Sequence, residues 1–446
     1  MKRRTLALIG ILAVLACVPA FAQDRYVLRA APTAVGELAR RHGLGILRSM
    51  DDPGRVLHVV TVPAGPFHDQ IIRSVKADHD VANLELDRLV ALPETSSGVR
   101  INQSTAAILD ALSNRTVVSY YGTLAWGGYT SQPAGAIIRV AEAQRFFATG
   151  AGTVAFLDTG VDFSHPVLAK SLTWGYDFTR NVPGGSELTD LNQSTAAILD
   201  QSTASILDKN SVAVLNQSTA AILDQSTAAI LDRRQLPAAF GHGTMVAGLI
   251  HLVAPTARLM PVKVFKGDGT SSLSDILRGI YFAVDRGARV INMSFSMYEF
   301  SVELMRAIDY ANSRGAICVA SAGNDGRAML VYPAGLGKVI GAASTDNRDR
   351  RSIFSNYGDA LVTVAAPGEG VVSLYPGKNY AAGWGTSFSA PLVAGGAALL
   401  VQIADYTNQA QAHQALSQAV PIGQGLGAGR LDLFQACRYR AERGSH

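Results

Sequence analysis

Residues 153–160 read Thr-Val-Ala-Phe-Leu-Asp-Thr-Gly. Residues 154–157 are apolar without a break, as expected of a strand covered on both faces in a parallel sheet. The run ends at Asp158, and open parallel sheets collect their functional groups at the carboxyl ends of their strands. Working outward from this strand, further strands are expected at 258–264, 288–293, 316–320 and 339–343. Helices are expected between them at 272–286 and 302–314. Such alternation from about residue 136 onward predicts an α/β fold with a doubly wound parallel sheet over 136–437. Residues 427–437 read as a closing helix, with 438–446 as a tail. The apolar stretch 390–404 contains Pro391, Gly395 and Gly396 and is too short to cross a bilayer, so it reads as a buried helix.

Upstream, the periodicity is different. A strand at 25–30, a helix at 33–42 ending in Gly43, a strong strand at 55–63, a helix at 67–76 and alternating residues over 81–92 describe a small ferredoxin-like α+β module. Residues 23–96 form this unit, and the turn-rich residues 97–135 are read as a linker. At the extreme N-terminus, Lys2, Arg3 and Arg4 precede an apolar run from Leu6 to Ala20, and Ala20-Phe21-Ala22 forms a small-x-small cleavage pattern. Residues 1–22 therefore read as an export signal, which makes the protein extracytoplasmic, secreted or periplasmic, with no membrane span once the signal is removed. Val14-Leu15-Ala16-Cys17 loosely matches a lipoprotein box, but Val18-Pro19 after it argues against anchoring through Cys17.

The chain of 446 residues is 48% hydrophobic and 17% charged, which permits two or three packed domains and excludes a disordered chain. Its net charge of +4 is dispersed, and without a basic stripe there is no nucleic-acid face. Three cysteines, one of them in the signal, make no disulfide framework, and no CxxC or HExxH pattern points to a catalytic metal. Residues 193–232 are five tandem octads (QSTAAILD, QSTASILD, KNSVAVLN, QSTAAILD, QSTAAILD), with a sixth copy alone at 103–110. A period of eight drifts around a helix but keeps its faces on a strand, and neither reading is preferred.

Two further segments carry chemistry. Residues 241–249 (GHGTMVAGL) put His242 at a helix start between glycines, and residues 385–391 (GTSFSAP) put Ser387 at the N-terminus of the buried helix. A serine hydroxyl becomes a nucleophile when an imidazole takes its proton, and a carboxylate holds that imidazole in the required tautomer. A helix N-terminus behind the serine offers N–H groups to an oxyanion, and Asn324 in Ser321-Ala322-Gly323-Asn324 offers a side-chain donor. Singly, each residue has a structural use: Asp158 or Asn324 in a turn, His242 at a helix start, Ser387 as an N-cap. His165 and His251 lack motif partners and read as structural, and Asp162 and Asp177 as loop residues.

The motifs D-T-G, G-H-G-T-x-V-A-G and G-T-S-x-x-x-P, in the order Asp…His…Ser with S-A-G-N before the last, resemble the subtilase family of serine proteases. The resemblance implies that Asp158 orients, His242 is the general base and acid, Ser387 attacks, and Asn324 with the Ser387 N–H binds the oxyanion. It also implies that Ser294-Phe295-Ser296 line the substrate cleft as an edge strand for a polypeptide substrate. Phe295, Ser296 and Met297 stand where relatives have a leucine and glycines, and Met245 replaces a second histidine of the histidine motif. Residues 25–96 resemble the inhibitory prodomain of these enzymes, so the chain's own prodomain is expected to be a partner in cis. No cofactor is implied. The octads fall where many relatives hold calcium, so calcium cannot be inferred. Two other function classes compete: an inactive binding protein that uses the octads, and an α/β-hydrolase esterase. The four intact catalytic positions argue against the first. Ser389, at the second glycine of a G-x-S-x-G elbow, argues against the other.

Overall fold

In the computed structural model, which describes residues 24–50, 56–93, 114–191, 221–222 and 236–443, the chain divides into two units, Met1–Arg88 and Leu89–His446. The first contains β1 (Arg25–Ala30), helix Pro32–His42, β2 (Gly45–Ser49), β3 (Leu57–Thr61), helix His68–Ala77 and β4 (Val81–Leu86). Pro32 opens its helix where no N–H is needed, and Gly43 closes it at φ +67°. The strands lie in the order β2-β3-β1-β4 with antiparallel pairings. That is the ferredoxin-like arrangement the pattern implied. Alternate residues Tyr26, Leu28 and Ala30 pack with Val60, Leu84, Leu38 and Val75 in a core of their own.

The second unit is built on eight strands: β8 (Thr153–Asp158), β9 (Tyr176–Asp177), β10 (Val182–Pro183), β12 (Arg258–Lys263), β14 (Ala288–Met293), β15 (Ile317–Ser321), β16 (Ile340–Thr345) and β17 (Val364–Pro367). They lie in the order β10-β9-β12-β8-β14-β15-β16-β17. All neighbours are parallel except the short β9–β10 pair. Every residue of β8 is buried, as its unbroken apolar run requires. Helices Leu273–Asp285 and Val302–Ser313 pack together against β12, β14 and β15, while helices His242–Val253 and Thr386–Ile403 pack on each other and on the sheet. Helices therefore cover the sheet on both sides. Among the described residues, Thr386–Ile403 is the one helix long and apolar enough to cross a membrane, yet 89% of it is buried inside the protein.

Smaller sheets complete the unit. β5 (Leu89–Ala91) pairs antiparallel with β13 (Thr270–Ser272), and β6 (Val117–Tyr120) forms a hairpin with β7 (Thr123–Trp126). β11 (Ala221–Ile222), inside one octad, pairs antiparallel with β19 (Asn379–Trp384), which also pairs with β18 (Glu369–Tyr375). At these two residues the octad is extended. Residues 1–22, read as an export signal, the lone octad and the rest of the array lie outside the described residues.

Three expectations need correction. Residues 114–135 are not a linker. Tyr129 and Ala134 belong to the main core, Tyr129 donates to the Gly248 carbonyl at 2.8 Å, and the Gln132 amide brackets Val372 through both its oxygen and its nitrogen. Turn-forming composition concealed buried polar anchors. The closing helix is Leu433–Arg443, and Arg430 before it bridges to Val420 and Ala365 in extended form, so the tail is mostly helix. Finally, Leu89 to Pro93, read as the end of the first module, belong to the second unit.

Candidate active site

Strand β8 delivers Asp158 to the carboxyl edge, fully buried, where Oδ1 accepts from the Thr159 N–H at 2.7 Å and faces His242 Nδ1 at 2.7 Å. His242 begins its helix after Gly241, whose φ is +89° and whose hypothetical Cβ would lie 2.2 Å from the Tyr375 ring. The next glycine is equally constrained. A Cβ on Gly243 would meet the Gly160 carbonyl at 2.0 Å, so the helix start and the turn after Asp158 come together only because no side chain intervenes. The His242 ring lies 5.4 Å from the ring of Phe388, the neighbour of Ser387.

Ser387 is buried in the first turn of helix Thr386–Ile403, which starts at Gly385. Pro391 lies four residues further along and has no N–H to give the Ser387 carbonyl. Ser294 Oγ supplies that bond at 2.9 Å and itself accepts from Asn292 Nδ2 at 2.9 Å. Ser387 Oγ in turn donates to the Ser294 carbonyl at 3.0 Å. A reciprocal pair thus ties the end of β14 to the helix that carries Ser387.

Asn324 follows β15 and is buried. Its Oδ1 accepts from the Thr386 N–H at 3.0 Å and from Thr386 Oγ1 at 2.8 Å, which fixes the amide with its nitrogen as the opposite end. Thr386 Oγ1 also accepts from the Gly323 N–H at 3.1 Å. Asp158, His242, Ser387 and Asn324, scattered through the sequence, are thereby brought to one edge of the sheet. Together they present a carboxylate-oriented imidazole, a serine hydroxyl at a helix N-terminus and an anchored amide donor, the parts needed for acyl transfer.

The segment Ser294-Phe295-Ser296 departs from expectation. β14 ends at Met293, and none of the three residues belongs to a strand. The Ser294 side chain is turned inward to Ser387, and Phe295 is fully buried against Phe265, with ring centroids 5.4 Å apart. Ser296 is half-buried and faces Gly323. Bulk at position 295 is accommodated by burying it.

Sequence reasoning missed Glu187, which is buried among the neighbours of Asp158 and His242. It belongs to no motif, and a glutamate in polar sequence gives no signal of burial. His165 and His251, read as structural, are buried and bonded to the Asn379 carbonyl and Ser171 Oγ respectively. Burial lowers both imidazoles to about 4. Asp162 is a loop residue, as read, and accepts from the Ser164 and Gly377 N–H groups, whereas Asp177, read as a loop residue, ends the short strand β9 and accepts from the Thr179 N–H at 2.9 Å. Cys318 and Cys437 are free and buried, and burial pushes both thiols up to about 12. Among the described residues, one group of metal-ligating types, Asp78, His79 and Asp80, lies in the first unit.

Residues 150–433 match the model of the subtilase family. The chain belongs to the subtilase family. A thermophilic serine proteinase from Bacillus sp. (strain AK1) is 32% identical over 290 residues, 64% of this chain and 61% of that protein. Thermitase from Thermoactinomyces vulgaris is 32% identical over 307 residues, 66% of this chain and 91% of that protein. Among solved structures, fervidolysin from Fervidobacterium pennivorans superposes with a TM-score of 0.67 at 20% identity, covering 94% of this chain and 61% of that one. At that identity the likeness concerns the fold. The chain thus spans about three fifths of the length of the Bacillus proteinase and of fervidolysin.

Proposed function

We propose that this subtilase is an exported serine endopeptidase, made as a precursor, which hydrolyses polypeptides through an acyl-enzyme. The observation that carries the reading is the buried 2.7 Å contact between Asp158 and His242 beside Ser387 at its helix N-terminus. In the reaction Ser387 Oγ leaves the Ser294 carbonyl, passes its proton to His242 Nε2 and attacks the scissile carbonyl. Asp158 accepts from Nδ1–H, holds that tautomer and stabilises the imidazolium. Asn324 Nδ2 and the Ser387 N–H receive the oxyanion, and His242 returns the proton to the leaving amine. Water then repeats the sequence in reverse to release the acid.

The precursor reading rests on the N-terminal module and on the strand β5 that comes directly after it. Residues 89–91 add a strand to β13, and the Leu92 N–H extends the ladder to the Gly269 carbonyl at 2.9 Å. An extended substrate is held by strand addition of this kind, so the segment resembles a peptide laid on the enzyme. The prodomain is then an inhibitor in cis. Because the Asn114 carbonyl is bonded to the Gly128 N–H and residues from Tyr120 onward pack on the main core, the release cut falls within 94–113. The export signal read at 1–22 supports an activity outside the cytoplasm.

Replacement of Ser387 by Ala tests the reading. Purified Ser387→Ala should fold, retain the melting temperature of wild type within a few degrees, and lose about 10⁴–10⁶-fold in kcat on a peptide substrate. A variant that keeps a tenth of wild-type turnover would remove Ser387 from the mechanism.

A further inference from the structure

The helix that carries His242 lacks a cap of its own. Its N-cap is Gly241, which has no side chain to accept from the first turn, and the Tyr375 ring forbids a larger residue there. The N–H groups of the first turn need acceptors from elsewhere. Glu187 supplies them. Its Oε1 accepts from the Gly243 N–H at 3.0 Å, and its Oε2 accepts from the Thr244 N–H at 3.3 Å and from Thr244 Oγ1 at 2.5 Å. Oε1 also accepts from Thr159 Oγ1 at 2.5 Å, and Thr159 Oγ1 accepts from the Gly243 N–H at 3.0 Å. Every partner of this carboxylate is therefore next in sequence, or next but one, to Asp158 or His242.

We infer that Glu187 is a positioning residue, whose carboxylate holds the end of strand β8 and the start of the His242 helix at the separation that the Asp158–His242 hydrogen bond requires. The inference rests on the proteolytic reading of this site. An ordinary cap would come from the residue before the helix, bound to that helix alone. Glu187 comes from a separate short helix, Glu187–Asp190, and joins two elements. That short helix is itself clamped. Ser186 caps it by accepting from the Leu188 N–H, and Asp190 pairs with Arg180 at 2.6 Å and with buried Lys263 Nζ at 2.6 Å. Lys263 Nζ also donates to the Thr159 carbonyl at 2.5 Å and the Phe265 carbonyl at 3.0 Å, so both sides of the turn after Asp158 are held.

Charge matters as well as reach. Two backbone N–H groups aimed at the two oxygens, together with the positive helix end, favour the ionised form. Burial opposes it and pushes the carboxyl up to about 7, against the pull of Thr159, Thr244 and Lys263. The charged and titratable groups around it are Asp158 on β8, His242 on its helix, Lys263 on β12, Asp190 on its own short helix and Tyr375 on β18. In its ionised form Glu187 favours the imidazolium that forms in the reaction and works together with Asp158.

The test uses the full chain, matured and counted by titration with a serine-reactive fluorophosphonate. Glu187→Gln keeps the volume but turns an NH2 towards backbone donors and removes the charge. It should lower kcat per titrated site by about 10–100-fold and leave KM within twofold, as a misplacement at the reacting groups does. The acid limb of kcat/KM should move to lower pH, because the base loses a stabilising anion. Thr159→Val removes one anchor without changing the number of charges, and should lower kcat by a smaller factor with a smaller shift of the acid limb than Glu187→Gln. A wild-type kcat per site and an unmoved acid limb in Glu187→Gln, with a loss confined to stability, would overturn the inference. If Glu187→Gln does not fold, an unchanged kcat per site in Thr159→Val would overturn it. A wild-type chain without peptidase activity would refute the proteolytic reading instead.

Discussion

Thr386→Val separates the support of Asn324, the proposed oxyanion donor, from Asn324 itself. The substitution replaces one hydroxyl by a methyl at a fully buried position. That hydroxyl donates to Asn324 Oδ1 at 2.8 Å and accepts from the Gly323 N–H at 3.1 Å. The second anchor of Asn324, from the Thr386 N–H at 3.0 Å, survives because it is backbone. Two effects result. The Gly323 N–H is left buried without an acceptor, which costs about 1–3 kcal/mol of stability and lowers Tm. The amide of Asn324 keeps one of its two restraints, so the catalytic loss should be a fraction of the about 10²–10³ expected for removing an oxyanion donor. A loss of about tenfold in kcat, equivalent to about 1.4 kcal/mol in the barrier, is the expected size, with KM unchanged. Steady-state kinetics on Thr386→Val, Asn324→Ala and the double variant, each normalised to titrated sites, provide the check. Once Asn324 is gone the hydroxyl has nothing left to hold, so the double variant should match Asn324→Ala in kcat. If Thr386→Val slows Asn324→Ala as much as it slows wild type, the hydroxyl acts by another route. A change confined to KM would also refute the reasoning.

Burial elsewhere in the protein sets further outcomes. His165 and His251 are held near 4 by burial, below their unfolded value of about 6.5. The unfolded chain therefore binds more protons between these values, so stability is full above about pH 6.5 and is lost as pH falls towards 4. Tm of the inactive Ser387→Ala chain, followed from pH 7 to pH 4, should decline, and replacing His251 by Asn should flatten the decline. An equal slope in both chains would contradict this. Val90 and Leu92 are buried in the second unit. Val90→Asp together with Leu92→Asp should weaken the strand on β13 and hasten the appearance of activity after synthesis, measured as the lag before peptide hydrolysis. An unchanged lag would mean that this strand does not restrain the enzyme.

Legibility in the sequence followed the range of the interaction that decides each feature. β8 and β14 were readable because an apolar run is a local statement about burial on both faces. The helix Pro32–His42 was readable to within one residue from the glycine at its end, which acts on its own dihedrals. The closing helix was misplaced because glycines and an extended bridge at Arg430 precede it, and that bridge exists only through Ala365 and Val420. Residues 114–135 passed for a linker because Tyr129 and Gln132 are held in place by Gly248 and Val372, more than a hundred residues away.

By itself the sequence determined the parallel α/β layout and the ferredoxin-like leading module, and it singled out Asp158, His242, Asn324 and Ser387 as candidate site residues. Those features are written in short-range patterns: apolar runs, helix ends and glycine-flanked functional residues. Tertiary structure alone decided that Ser294 turns inward to satisfy the carbonyl released by Pro391, that Phe295 is buried on Phe265, and that Glu187 caps the His242 helix. Each of these joins segments far apart in the chain. A buried polar group must find its partner wherever the fold brings one, and no local pattern records which residue that will be.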